Sequence, residues 1–101
     1  MAHVPSPEGL DKVIHERARL GIVASLAARG AMSFNELKEE CALTDGNLNR
    51  HLKVLEEAGA VKIRKSFVES KPRTTISMTG KGRNALGDYV NLLPGILEKM
   101  K

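Results

Sequence analysis

The sequence predicts an α+β fold, mainly helical with one β-hairpin, and three observations predict it. Apolar residues recur at helical spacing in four segments. Two of those segments are joined by only a few residues and each begins at a capping residue. The period then switches to strict alternation over residues 61–78 before turning helical again. With 101 residues and 42% hydrophobic side chains, the chain has room for one core and no second domain of ordinary size.

Residues 1–9 hold Pro5, Pro7 and Gly9 and are expected to form a flexible arm, with a short helical turn over Leu10–His15. From Arg17 to Ala28, Leu20, Ile22, Val23, Leu26 and Ala27 cover a wide arc of a helix, which implies burial on more than one side, and Gly30 lies just past its end. Ser33 is followed three residues later by Glu36, the pattern in which hydroxyl and carboxylate each satisfy an orphan backbone donor. It starts a short helix, Phe34–Cys41, whose buried stripe is Phe34, Leu37 and Cys41. Thr44 caps a third helix that runs to about Ala58, and Gly59 ends it in a left-handed conformation.

Val61, Ile63 and Lys65 then alternate with Lys62, Arg64 and Ser66, and Thr74, Ile76 and Met78 alternate after Lys71-Pro72-Arg73. The expectation is a two-stranded hairpin with a basic, proline-containing tip region. Thr79 caps a final helix that Pro94 should kink or interrupt. Residues 10–79 thus form the globular part, and residues 80–101 the C-terminal helix.

Composition narrows the function classes. The net charge of +4 is a mild pull toward polyanions, but its placement says more: residues 44–75 hold seven of the sixteen Lys and Arg against four acids. The aromatic side chains are Phe34, Phe67 and Tyr89 alone, too few to stack a run of unpaired bases, so duplex DNA is the better nucleic-acid candidate. A single cysteine, Cys41, supports neither an intrachain disulfide nor a cysteine-rich metal site and suits a reducing compartment. The longest apolar stretch, Gly21–Ala28, is too short to span a bilayer, and the proline-containing start is unlike a secretory signal. The expectation is a cytoplasmic protein with no metal and no cofactor. No Ser/His/Asp set, phosphate loop or paired-carboxylate arrangement stands out, so catalysis is not expected.

The third helix has a readable division of labour. Leu48, Leu52 and Leu55 make its inward stripe, so at 100° per residue the opposite face carries Gly46, Asn49, Arg50 and Lys53. Asn pairs bidentately with adenine, Arg with guanine and Lys with guanine or phosphate, while Gly46 permits close backbone approach. The helix start offers unpaired N–H groups to a phosphate, with Asp45 opposing that electrostatically. Arg64, Lys65, Lys71 and Arg73 in the hairpin read either as edge-strand charges that block aggregation or as a wing against the DNA backbone or minor groove. Those two readings are compatible.

The runs Leu43-Thr44-Asp45-Gly46-Asn47-Leu48-Asn49-Arg50-His51-Leu52, Leu55-Glu56-Glu57-Ala58-Gly59, Lys71-Pro72-Arg73-Thr74 and Thr79-Gly80-Lys81-Gly82-Arg83 carry a resemblance. Over roughly residues 10–93 the chain resembles the small winged helix-turn-helix regulators related to the MarR and ArsR groups. The resemblance implies a three-helical core, a two-stranded wing and a C-terminal helix. It further implies a dimeric regulator with its third helix in the major groove, which places Thr44 and Asn47 beside the four outward residues as DNA contacts. The chain departs from metal-sensing ArsR members in lacking a Cys/His cluster on that helix, and from MarR proteins in being short.

Leu93, Ile96, Leu97 and Met100 continue the final helix far enough to need an apolar partner, and with Leu86, Tyr89 and Val90 they form the expected homodimer contact. Alternatively, Pro94 folds that end back toward Val13 and Leu20. Cys41 reads as a small core residue rather than a sensor, and His51 as an edge-of-core donor, with a phosphate contact as its other use. His3 and His15 are isolated. The leading expectation is a sequence-specific, double-stranded DNA-binding repressor. Its competitors are a winged-helix adaptor between proteins and an architectural protein that coats duplex without reading it.

Overall fold

The structure, a computed structural model, describes residues 16–99, with side chains as far as Asn91. Helix α1 (Arg17–Arg29) leads through a two-residue strand β1 (Met32–Ser33) to α2 (Phe34–Cys41) and α3 (Asp45–Glu57). Strands β2 (Val61–Val68) and β3 (Lys71–Met78) follow, and α4 (Gly80–Lys99) closes the order. The expected arm and the turn over Leu10–His15 lie outside the described residues.

Local chemistry explains each start. Glu16 caps α1, its carboxylate accepting from Ala18 N at 2.7 Å and Arg19 N at 3.1 Å. Those two N–H groups, Arg19's first, hold the Glu16 carboxyl below its ordinary range. The reciprocal cap at α2 is present, with Glu36 N donating to Ser33 Oγ at 3.1 Å and Ser33 N donating to Glu36 Oε1 at 2.9 Å. Thr44 Oγ1 accepts from Asn47 N at 3.2 Å at the start of α3. Gly59, at φ 81°, follows its end in the left-handed region, as the sequence predicts.

Between α2 and α3 the chain turns in three residues, and Ala42 takes a left-handed φ of 54° to do so. The core lies under this turn. Ile22, Val23 and Leu26 of α1, Leu37 of α2, Leu48, Leu52 and Leu55 of α3, and Met32 and Ile76 of the sheet are buried together. Each such side chain contributes about 1.5–3 kcal/mol by leaving water.

Two features of the sheet differ from expectation. It has three strands, ordered β1-β3-β2, with Met32 opposite Ile76 and Ser33 opposite Thr75. A two-residue strand is too short for any alternation to show in sequence. The hairpin also turns at Glu69-Ser70, both at positive φ (53° and 68°), and not at Lys71-Pro72-Arg73. Those three residues are already paired in β3, opposite Val68, Phe67 and Ser66. Pro72 is tolerated because β1 meets β3 only at Thr75 and Ile76, which leaves the other side of Pro72 a free edge. Helix α4 runs on through Pro94 instead of stopping there. The carbonyl this proline leaves without a helical donor is that of Val90, on an exposed turn where solvent can supply one.

Candidate nucleic-acid interface

Helix α3 buries Leu48, His51, Leu52 and Leu55, and that choice of inward face fixes everything on the other side. Gly46, Asn47, Asn49, Arg50 and Lys53 are all exposed. Arg50 Nη2 donates to Asn47 Oδ1 at 2.9 Å, one turn back, which orients the guanidinium along the helix and leaves its other N–H groups outward. A Cβ added at Gly46 would meet nothing within 4 Å, so its smallness matters only to something that approaches from outside. Asp45 is tied to Lys38 of α2 at 2.8 Å. That pairing offsets the negative charge the sequence places at the helix start.

The wing's cations divide between two faces. From the register, Val61, Ile63, Lys65 and Phe67 lie on one face with Met78, Ile76, Thr74 and Pro72, and Lys62, Arg64, Ser66 and Val68 lie on the other with Ser77, Thr75, Arg73 and Lys71. The first face adjoins α3: Asn49, Lys53 and Glu56 of the helix and Ile63, Lys65 and Thr74 of the sheet line one groove of about 690 Å³. Lys65 therefore shares a surface with the outward residues of α3, whereas Arg64, Lys71 and Arg73 look the other way. Arg73 also lies 3.8 Å from Glu36. Phe67, near the tip of the α3-facing side, is 76% exposed.

Sequence alone groups these four cations and does not single out Glu56, which lines the groove. Lys65 carries the parity of Val61 and Ile63, so the division on β2 was available from alternation. That of β3 was not, because it depends on where the hairpin turns. Glu56 stands at 80° from Leu48 around α3, beside Asn49, and the helical wheel could have found it.

His51 is 9% exposed, with Nδ1 3.4 Å from Arg19 Nη1. Arginine only donates, so Nδ1 is the acceptor, and this ring is committed to α1 and not to a base. Cys41 Sγ sits 3.8 Å from Ser25 Oγ, half-buried against the core, and burial pushes the thiol above its ordinary range. On α4, Leu86 and Tyr89 pack partly against their own core while Val90 is 49% exposed. Leu93, Ile96, Leu97 and Met100 lie beyond the described side chains. Among the described residues, no three His, Cys, Asp or Glu side chains are placed to hold a metal ion, and no helix is long and apolar enough to cross a membrane.

Comparison with known proteins returns the same geometry. A protein of Methanocaldococcus jannaschii is 43% identical over 79 residues, 78% of this chain and 86% of its own. The solved structure of a transcriptional regulator homologue from Pyrococcus horikoshii superposes with a TM-score of 0.82 at 29% identity, covering 89% of each chain. A MarR-family regulator from Enterococcus faecalis superposes with a TM-score of 0.71 at 26% identity, covering 90% of this chain and 82% of that one. The family described as winged helix DNA-binding domain matches residues 18–97. The exposed polar face of α3, the hairpin beside it and these likenesses agree: the chain belongs to the winged helix DNA-binding domain family and is a winged helix-turn-helix transcriptional regulator related to the MarR group.

Proposed function

We propose that the protein reads a specific double-stranded DNA sequence as a cytoplasmic homodimer and represses transcription by occupying its site. One observation carries this reading: α3 presents Gly46, Asn49, Arg50 and Lys53 to solvent on one face, with Arg50 already oriented by Asn47. Arg50 meets guanine, Asn49 a base edge or the groove wall, and Lys53 and Lys65 the phosphates that pass between helix and wing. Thr44 holds the start of α3 in place, and Gly46 lets the backbone approach. Arg64, Lys71 and Arg73 reach phosphate outside that groove. An adaptor would present apolar side chains where α3 presents these polar ones.

The dimer forms through α4, from Val90 onward, with Leu93, Ile96, Leu97 and Met100 meeting their counterparts and Leu86 and Tyr89 supporting them from the core side. Repression needs only occupancy, which a DNA-binding domain alone supplies. Selection of bound sequences from a random duplex pool tests the reading. An enriched inverted repeat is expected; strong binding with no enrichment would instead mean an architectural protein, and no binding an adaptor. Truncation after Asn91 should leave a monomer by sedimentation, and a dimer that survives it would place the contact elsewhere.

A further inference from the structure

Helix α3 ends on two carboxylates, Glu56 and Glu57, and its last turn carries no cation. Neither acid helps the fold there. The unpaired carbonyls at a helix C-terminus give it partial negative charge, which disfavours an acid in that turn. Among the described residues neither carboxylate has an ion-pair or hydrogen-bond partner, although Lys53 stands one turn back from Glu56 on the same helix. Both side chains are exposed. What separates the two is direction. Glu56 lines the groove between α3 and the wing together with Asn49, Lys53 and Lys65, whereas Glu57, 100° further round the helix, does not. Of the three charged residues that line this groove, one is therefore set against the other two.

From this we propose that Glu56 is a negative determinant of DNA binding: its carboxylate repels the phosphates that Lys53 and Lys65 attract, and so lowers the affinity for every duplex. It rests on the reading of α3 as the part that meets DNA. Position assigns Glu56 to phosphate and not to a base. Base edges are reached from the first turns of a recognition helix, and Glu56 lies about 10 Å beyond Asn49 along the axis of α3. Phosphate attraction is the same for any sequence, so a charge that opposes it weakens binding to all of them alike. A duplex held by phosphates alone is then released, while one that adds the base contacts of Arg50 is kept. Selectivity in practice thus owes something to a repulsive element as well as to attractive ones.

The test measures binding of the full chain to two duplexes, the most enriched selected sequence and a scrambled one, or two arbitrary sequences if none is enriched. The parent, Glu56→Gln and Glu57→Gln are compared across a salt series, with thermal melts to show that each is folded. At about 50 mM salt, Glu56→Gln should bind both duplexes roughly 2–3-fold more tightly for each bound subunit, the worth of one like-charge contact at about 6 Å in water. That gain should shrink as salt rises, and Glu57→Gln should match the parent. An equal gain in Glu57→Gln would overturn the proposal by making the effect one of net charge. Weaker binding to both duplexes would make Glu56 a residue that orients Lys53 or Lys65, and weaker binding to the selected duplex alone would make it a base reader, accepting from a cytosine amino group. No change would make it a solvated acid. Failure of the parent to bind any duplex would instead sink the reading of α3 itself, so the two failures are told apart by the parent.

Discussion

Adding one methyl group at Gly82 should destabilise the protein far more than adding one at Gly80, two residues earlier. Gly82 is buried where the first turn of α4 packs on Ala60, in the link between α3 and β2. A Cβ there would lie 2.9 Å from the Ala60 carbonyl carbon and 3.0 Å from its Cα, and would overlap the carbonyl oxygen. Ordinary carbon contacts begin near 3.5 Å, and the obstacle is backbone, so α4 must withdraw by about 1 Å. Withdrawal stretches the bond from Thr79 N to Ala60 O, now 3.1 Å, and the one from the Thr79 hydroxyl to Gly59 O. Overpacking costs about 1–3 kcal/mol, two weakened hydrogen bonds up to about 1 kcal/mol each, and the helix propensity of alanine returns at most about 1 kcal/mol. The net loss is about 3 kcal/mol, a large share of the 5–15 kcal/mol typical of a domain. Gly80→Ala meets nothing within 4 Å and gains propensity only. In thermal melts followed by far-UV circular dichroism, Gly82→Ala should therefore fall by on the order of 15 °C while Gly80→Ala holds or rises slightly. If the two variants melted together, the close approach at Ala60 would not be what sets the angle of α4.

Arg50→Ala should cost about 1–3 kcal/mol on the preferred duplex and relax selectivity at one position of each half-site, while Lys65→Ala weakens all sequences alike. Binding of each variant to cognate and scrambled duplexes checks this, and selectivity lost only in Lys65→Ala would reverse the roles. Glu36 is held below its ordinary value of about 4.5, first by the Ser33 backbone N–H and then by its hydroxyl, so its charged form favours the fold above that pH and the benefit disappears as pH falls through the lowered value. Glu36→Gln should accordingly flatten the acid side of the melting-temperature profile; an unchanged slope would mean that the cap does not depend on charge. Cys41, whose thiol is raised by burial, should alkylate more slowly in the folded than in the unfolded protein at mildly alkaline pH, and Cys41→Ala should cost about 1 kcal/mol. A peroxide response in DNA binding that is present in the parent and lost in that variant would overturn its assignment to the core.

The parts of the fold that were legible in sequence are those that local chemistry decides. Ser33 with Glu36, Thr44 and Gly59 mark helix ends because their side chains or backbone freedom solve a problem at the position where they stand. The outward row on α3 was equally legible, since three leucines at Leu48, Leu52 and Leu55 leave a single direction for Arg50 and Lys53. What escaped depends on pairing across distance. Strand β1 exists because Met32 and Ser33 meet Ile76 and Thr75, far along the chain, and two residues carry no period of their own. The hairpin turn escaped because Glu-Ser is a weak signal beside Lys-Pro-Arg, although both of its residues adopt positive φ. That misplacement hid the division of the wing's cations, because register decides which side of a sheet each residue serves. The exposed positions of the candidate site were thus readable residue by residue, and their grouping was not.

Ion pairs are unevenly distributed over the molecule. Helices α1 and α2 use their charges on one another and on the start of α3: Arg29 with Glu40 at 2.8 Å, and Lys38 with Asp45 at 2.8 Å. Of the described cations with no carboxylate partner, Arg50, Lys53, Lys62, Arg64, Lys65 and Lys71 belong to α3 or the wing, and Arg17 and Arg83 to α1 and α4. Most of the unpaired positive charge among the described residues therefore lies on the surfaces proposed to meet DNA. Exposed pairs such as those in α1 and α2 are each worth about 0–1 kcal/mol, so screening them changes stability little. Phosphate contacts respond to salt through counterion release, and several acting together give a steep power law. Raising salt from 50 to 200 mM, with a screening length near 10 Å at 0.1 M, should consequently loosen duplex binding by orders of magnitude while moving the melting temperature by only a few degrees. If the melting temperature fell as steeply as the affinity, the unpaired cations would be stabilising the fold, and their exposure on α3 and the wing would need a different explanation.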